Sequence, residues 1–136
     1  MSDLSITAAN VVVGTGASVR DGTAGASITA GQAVYVDASA SNVIKLADTS
    51  TSAKAACVGI ALHAAASGQP IKYCTGGLLT IGATVAVGVP YFVSDNAGGL
   101  RPLGDAGTGD YATFVAVGMT TSTVYVNPIA TGAQVA

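Results

Sequence analysis

The chain has 136 residues, of which 50% are hydrophobic, 9% charged and 5% aromatic; five basic and seven acidic side chains leave a net charge of −2. That length fits a single domain, and the basic residues are scattered singly, which excludes the clustered basic stripe of a nucleic-acid binder. Every acid is Asp, a poor helix former, and no apolar run is long enough to cross a bilayer as a helix.

Residues 1–25 are rich in Gly, Ser, Thr and Ala and read as an extended N-terminal arm, with one short strand at 10–13 and a turn at Arg20-Asp21-Gly22. The opening MSDLSITAANVVVG has an acid where a secretory signal carries Lys or Arg, so the protein is expected to be made in a cytoplasm. Gly14-Thr15-Gly16 follows a strand as in a dinucleotide fingerprint. Val19 stands where the third Gly belongs, however, and no helical pattern follows, so glycines at a strand-to-turn transition explain the stretch.

From residue 26 the chain reads as one β domain, 26–136. Runs at 33–37, 43–47, 56–63, 71–74, 78–81, 91–94, 100–103, 113–120 and 123–129 alternate with turn clusters, the spacing of an all-β small barrel or sandwich. Only 51–56 has helical character, one turn at most. Continuous apolar residues at 34–36 and 91–93 predict strands covered on both faces, part of the cover coming from another subunit. Small side chains also predict a thin core for a lone subunit. The turn 94–99 contains the Asn and Gly that a hairpin favours, whereas 38–42 has no glycine and must turn differently. Residues 131–136 have no pattern and are expected to fray.

Residues 26–48 align without a gap on 83–105 at an offset of 57. Gly31 falls on Gly88, Val34-Tyr35-Val36 on Tyr91-Phe92-Val93, Leu46 on Leu103 and Asp48 on Asp105. Further on the echo loosens, with Val58-Gly59-Ile60-Ala61 answering Val117-Gly118-Met119-Thr120. The chain thus reads as an internal strand-turn-strand repeat, with units near 26–75 and 83–129. Two copies are too few for a solenoid. What they share is glycine and strand chemistry, which points to scaffold rather than catalysis.

Candidate chemistry is sparse. His63, the single histidine, has only Ala64-Ala65-Ala66 beside it and no GxSxG elbow to serve. A hairpin through 64–68 would set Cys57 roughly opposite Cys74, so a disulfide is conceivable; two buried thiols are the plainer reading. Asp105 and Asp110 flank a glycine loop that lacks the alternate acids and terminal Glu of an EF-hand. No catalytic, cofactor-binding or metal-ligating residue is assigned.

The succession Gly31-Gln32-Ala33-Val34-Tyr35-Val36-Asp37, Leu46-Ala47-Asp48, Val58-Gly59-Ile60-Ala61-Leu62, Gly68-Gln69-Pro70-Ile71, Gly82-Ala83, 88–91 and Gly109-Asp110-Tyr111 carries a resemblance. Over roughly 26–129 it is similar to the small capsid decoration, or cement, proteins of tailed bacteriophages. That resemblance implies a homotrimer on the outer surface of an icosahedral head, at junctions between capsomers. There it would bridge major capsid proteins and strengthen the shell against packaged DNA. The partners implied are the major capsid protein and further copies of the chain, with no nucleic acid, membrane or cofactor. The arm of such proteins contacts the shell or an adjacent decoration subunit, which here makes Ile6, Asn10, Val11, Val12, Val13 and Arg20 candidate capsid contacts. The alternative is a head-fibre, tail or adhesin module attaching to a host surface. Such a module should display exposed aromatics or long polar loops, and the loops here are short.

Overall fold

The computed structural model describes residues 3–102 and 111–134. The strands are β1 (Val11–Val13), β2 (Ser18–Thr23), β3 (Ala33–Asp37), β4 (Val43–Leu46), β5 (Cys57–Ala61), β6 (Pro70–Ile81), β7 (Pro90–Val93), β8 (Leu100–Pro102), β9 (Tyr111–Gly118) and β10 (Thr123–Gln134). One short helix, α1 (Ser52–Ala55), is capped by the Thr51 side chain, which accepts from the Lys54 amide. The all-β expectation is met.

A curled sheet runs in the order β4-β3-β5-β6-β10-β9-β7-β8, with β1 and β2 also paired to β6. All these pairings are antiparallel. The first half of β6 pairs with β2 and β5, as in Arg20 opposite Tyr73 and Ile60 opposite Cys74. Its second half pairs with β1 and β10, with Val12 and Thr123 both opposite Thr80. The β2–β6–β5–β3–β4 part curls into a half-barrel, whose far edges meet where Ala24 bridges Ile44 and the Gly25 amide donates to the Ile44 carbonyl at 2.7 Å.

Two cores follow from this arrangement. The larger lies between the two halves of the sheet and holds Tyr35, Cys57, Ile60, Cys74, Leu79, Ile81, Tyr91, Val115, Val124 and Val126. The smaller fills the half-barrel with Ala24, Ile28, Val34, Ile44, Ala65, Ile71 and Tyr73. Alternation assigns β3 to both, Tyr35 facing one core and Val34 the other, so β3 is covered on both faces within a single chain. β7 is not: Tyr91 and Val93 are buried, while Pro90 and Phe92 are only half-buried. The chain exposes 6254 Å², close to the roughly 6,400 Å² expected of a compact monomer of its mass. Small side chains have therefore not left the lone subunit loosely folded.

Several sequence expectations are corrected. Residues 20–22 are strand rather than turn, because β6 supplies the hydrogen bonds and a bare Gly22 lets β2 pass against the Ile44 side chain. The runs 71–74 and 78–81 are one strand. Gly76 and Gly77 bend β6 without breaking it, and Gly77 has φ +91°. β10 continues to Gln134, which lies opposite Tyr111, so the backbone at 131–134 is held by β9. The glycine-free turn at 38–42 is made by a 3-10 turn and by Ser41 and Asn42, both at φ 62°. Across that hairpin Lys45 Nζ lies 2.9 Å from Asp37. The Asp37 carboxyl is held below its ordinary range by hydrogen bonds from Ser39 and then by Lys45.

Two strand pairs, β3–β5 and β7–β9, keep the same ladder register. Ala33–Ile60, Val34–Gly59 and Tyr35–Cys57 pair with a bulge after Val34; Pro90–Val117, Tyr91–Ala116 and Phe92–Phe114 pair with a bulge after Tyr91. Every partner is shifted by the same 57 positions. The flanking bonds follow suit, Gly31 N to Ala61 O (2.8 Å) matching Gly88 N to Gly118 O (2.7 Å). β5 thus answers 114–118, not the looser alignment expected from sequence, because ladder register rather than residue likeness fixes the correspondence.

The hairpin register places Ile60, not Cys57, opposite Cys74, and both cysteines are free and buried. Burial pushes the Cys57 thiol from 9.0 up to about 12 and raises that of Cys74. Because the folded value of Cys57 is the higher one, its contribution to stability is complete below pH 9 and is lost as the pH rises toward 12. Native protein at pH 8 should leave both thiols unmodified by an aromatic disulfide reagent until it unfolds, and Cys57→Ala should flatten the loss of stability above pH 9. Rapid labelling of folded protein would contradict this.

A Cβ at Gly77 would meet the Gly16 carbonyl and sit 2.6 Å from the Ala17 Cα, whereas Gly16, at φ +74°, has open space. Gly77→Ala should therefore lower the unfolding free energy by about 2–5 kcal/mol, from backbone strain plus overpacking. Gly16→Ala should cost only the strain, about 1–2 kcal/mol. Equal losses in urea unfolding would contradict the crossing of 16–17 over β6.

Candidate contact surface

Residues 3–25 lie along the domain and use its hydrogen bonds. Leu4 N donates to Leu100 O at 2.7 Å and Thr7 N to Gly82 O at 2.8 Å. The Asp3 carboxylate accepts from Ser94 Oγ and, at 3.1 Å, from Asn96 Nδ2, tying the segment to the 94–99 turn. A 3-10 turn at Ala8–Asn10 then redirects the chain into β1, whose three β-branched valines suit a strand.

This path sorts the six sequence candidates into different environments. Ile6 packs against the larger core and Val11, opposite Ile81, is part of it. Neither side chain is presented outward. Asn10 and Val12 are exposed and share a groove of about 640 Å³ with Thr7, Thr80, Thr84 and Ser122. Val13, opposite Leu79, belongs to the core side yet remains exposed at the end of β1. Arg20 lies elsewhere, on β2, in a cleft of about 390 Å³ with Tyr73, Thr75, Asn127 and Pro128.

The groove therefore joins residues far apart in sequence. Thr80 takes its place because β6 alternates, Leu79 and Ile81 inward and Thr80 outward, and Ser122 follows because Thr123 pairs with Thr80. The alternation was readable in Leu78-Leu79-Thr80-Ile81; the pairing that makes it one wall of a groove was not. The groove lining is uncharged and offers hydroxyls, one amide and a valine. Beside it, β1 pairs with β6 alone among the described strands, so its other edge is open. Such a surface can hold an extended, uncharged segment by strand pairing and hydroxyl contacts. By contrast, Arg20 is an exposed cation with no ion-pair partner among the described residues.

The remaining chemical candidates are occupied structurally. His63 Nε2 accepts the Lys72 amide at 3.1 Å and Nδ1 lies 3.0 Å from the Ala64 carbonyl, an arrangement that fits the neutral ring with Nδ1 as donor. Lys72 in turn pairs with Asp21 at 2.7 Å. Among the described residues no three His, Cys, Asp or Glu side chains gather as a metal site. The loop with Asp105 and Asp110 lies outside the described residues.

No curated protein matches the chain. A family model described as phage cement protein matches residues 5–75, which carry the arm segment, β1 to β5 and the first half of β6, just over half of the chain. The match thus covers the half-barrel as far as the middle of β6, and the chain belongs to the phage cement protein family.

Proposed function

We propose that this protein binds the outer surface of a phage head at the junctions between capsomers and stabilises the shell by bridging neighbouring major capsid proteins. Membership of the cement family, a structural and capsid-associated one, carries the reading. The fold supports it in two ways. A sheet whose two halves share β6 is a stiff body suited to bridging, and the groove beside β1 offers an open strand edge to a partner segment. Asn10 and Val12 are the contacts this reading favours; Ile6 and Val11 act indirectly, by fixing the course of the segment.

The working unit is a trimer. Three copies around one axis present three grooves, and linked weak contacts multiply in effect without a large interface at each. That arithmetic suits a protein placed many times over a particle.

Mixing purified protein with heads that lack it and imaging the particles tests the proposal. Added density at capsomer junctions is expected, together with heads that retain their DNA at higher temperature. Val12→Asp should weaken head binding at least tenfold, about 1.4 kcal/mol, while leaving the melting temperature of the free protein unchanged. Heads without added density, or density on tails alone, would contradict the proposal.

A further inference from the structure

Arg20 stands on the inner side of the half-barrel wall. Directly opposed residues share a face, so Arg20, Tyr73 and Ala61 form one row across β2, β6 and β5. Tyr73 and Ala61 belong to the smaller core. Arg20 continues that row to an exposed position, where it lines the cleft of about 390 Å³ with Val36, Val58, Tyr73, Thr75 and Asn127. The cleft is thus a mouth of the half-barrel. Barrel mouths are favoured places for ligands, and this volume lies at the small end of the range for binding sites.

The polar groups gathered here include one left without a partner. Tyr73 is only 6% exposed, and its ring is fixed between bare glycines, a Cβ at Gly22 or Gly59 lying 3.6 or 3.2 Å from opposite edges of the ring. A buried tyrosine hydroxyl normally has a hydrogen-bond partner. Among the described residues this one has none, and its oxygen is not sealed in the core, so it opens to the cleft that Tyr73 lines. Thr75 is the extra residue of a bulge between the Ser18 and Val19 pairings, and its hydroxyl donates to the Ser18 carbonyl at 3.4 Å. Asn127, exposed, arrives from β10 because Val126 pairs with Gly77. Charge is one-sided, since Arg20 is the only charged residue of the lining. Asp21, the acid next to it in sequence, lies opposite Lys72 and is paired with it at 2.7 Å.

We propose that this cleft binds a carboxylate, and that the carboxylate is an Asp or Glu side chain of an extended segment laid along the free edge of β2. The Arg20 guanidinium, the Tyr73 hydroxyl and the Asn127 amide supply N–H and O–H donors, the set that a carboxylate satisfies and a cation does not. The edge favours a side chain over a chain terminus. Among the described strands β2 pairs with β6 alone, so a segment can add to its other side by main-chain hydrogen bonds. Such a segment sets one residue directly opposite Arg20 and on the same face, with Cβ atoms about 4.5–5.5 Å apart. The side chain of that residue enters the cleft. With the Tyr73 ring already fixed, little of the site has to be ordered on binding. The identity of the segment rests on the capsid reading above: it belongs to the major capsid protein, and the contact is a second one, on a different strand from the groove beside β1.

NMR titration of the full chain with N-acetyl-Val-Glu-Val-amide and its Gln counterpart tests the site apart from any phage head. The glutamate peptide should bind at least tenfold more tightly, shifting the amides of 19–21, 73–75 and Asn127. Arg20→Gln should abolish that preference. Tyr73→Phe should weaken binding of the glutamate peptide about three- to tenfold without lowering the melting temperature, because the hydroxyl has no partner in the free chain. Lys54→Gln removes an exposed cation on α1 with the same change in net charge, and should keep the preference. No binding, equal binding of the two peptides, or a preference that survives Arg20→Gln overturns the inference. Tighter binding of N-acetyl-Val-Gln-Val with a free terminal carboxylate assigns the cleft to a chain end and overturns the side-chain assignment. Head binding measured in parallel separates this proposal from the capsid reading. Wild type that prefers the glutamate peptide and ignores heads supports the site and contradicts the capsid placement. If Arg20→Gln loses the preference, decoration weakened at least tenfold supports the capsid protein as occupant, and decoration equal to wild type overturns it.

Discussion

The fold depends on one strand being shared. β6 takes β2 and β5 along its first half and β1 and β10 along its second, so the half-barrel and the flatter sheet meet through a single continuous backbone. A twelve-residue strand serving four partners must bend, and Gly76-Gly77 lets it do so while segment 16–17 crosses close above. The two hydrophobic cores lie on opposite sides of the half-barrel wall that β6 helps to form. Loss of the bend would uncouple the halves, and with them the N-terminal segment, whose docking points at Gly82 and Leu100 belong to the second half.

Around this strand the two β units have the same register and different fates. In the first, both faces of β3 are buried within the chain. In the second, β7 and β9 bury one face and leave the other to the outside. The family match ends at residue 75, in the middle of β6, so the covered unit carries the family pattern and the open unit lies beyond it.

Much of the strand content was legible because it depends on local pattern. The runs at 33–37, 43–46, 91–93 and 100–102 are largely apolar, and the structure makes strands of them. β2 was not legible, since Ser18–Thr23 is almost wholly exposed and owes its conformation to β6, far along the chain. Gly76-Gly77 reads as a break until Gly77 is seen to bend a strand held on both sides. The contact candidates fared similarly. Sequence alone picked the segment containing Asn10 and Val12, but the inward course of Ile6 and Val11 and the arrival of Thr80, Thr84 and Ser122 depend on long-range pairing. Val34-Tyr35-Val36 and Tyr91-Phe92-Val93 look alike in sequence; what packs against them differs.

Native-state hydrogen exchange along β6 tests most directly whether this strand couples the two halves. If it does, the amides of residues 71–74 and 78–81 should open only in global unfolding, with the same free energy and the same dependence on denaturant. Exchange of one half through a separate opening of lower free energy would show that the half-barrel and the sheet are independent units, and would contradict the account.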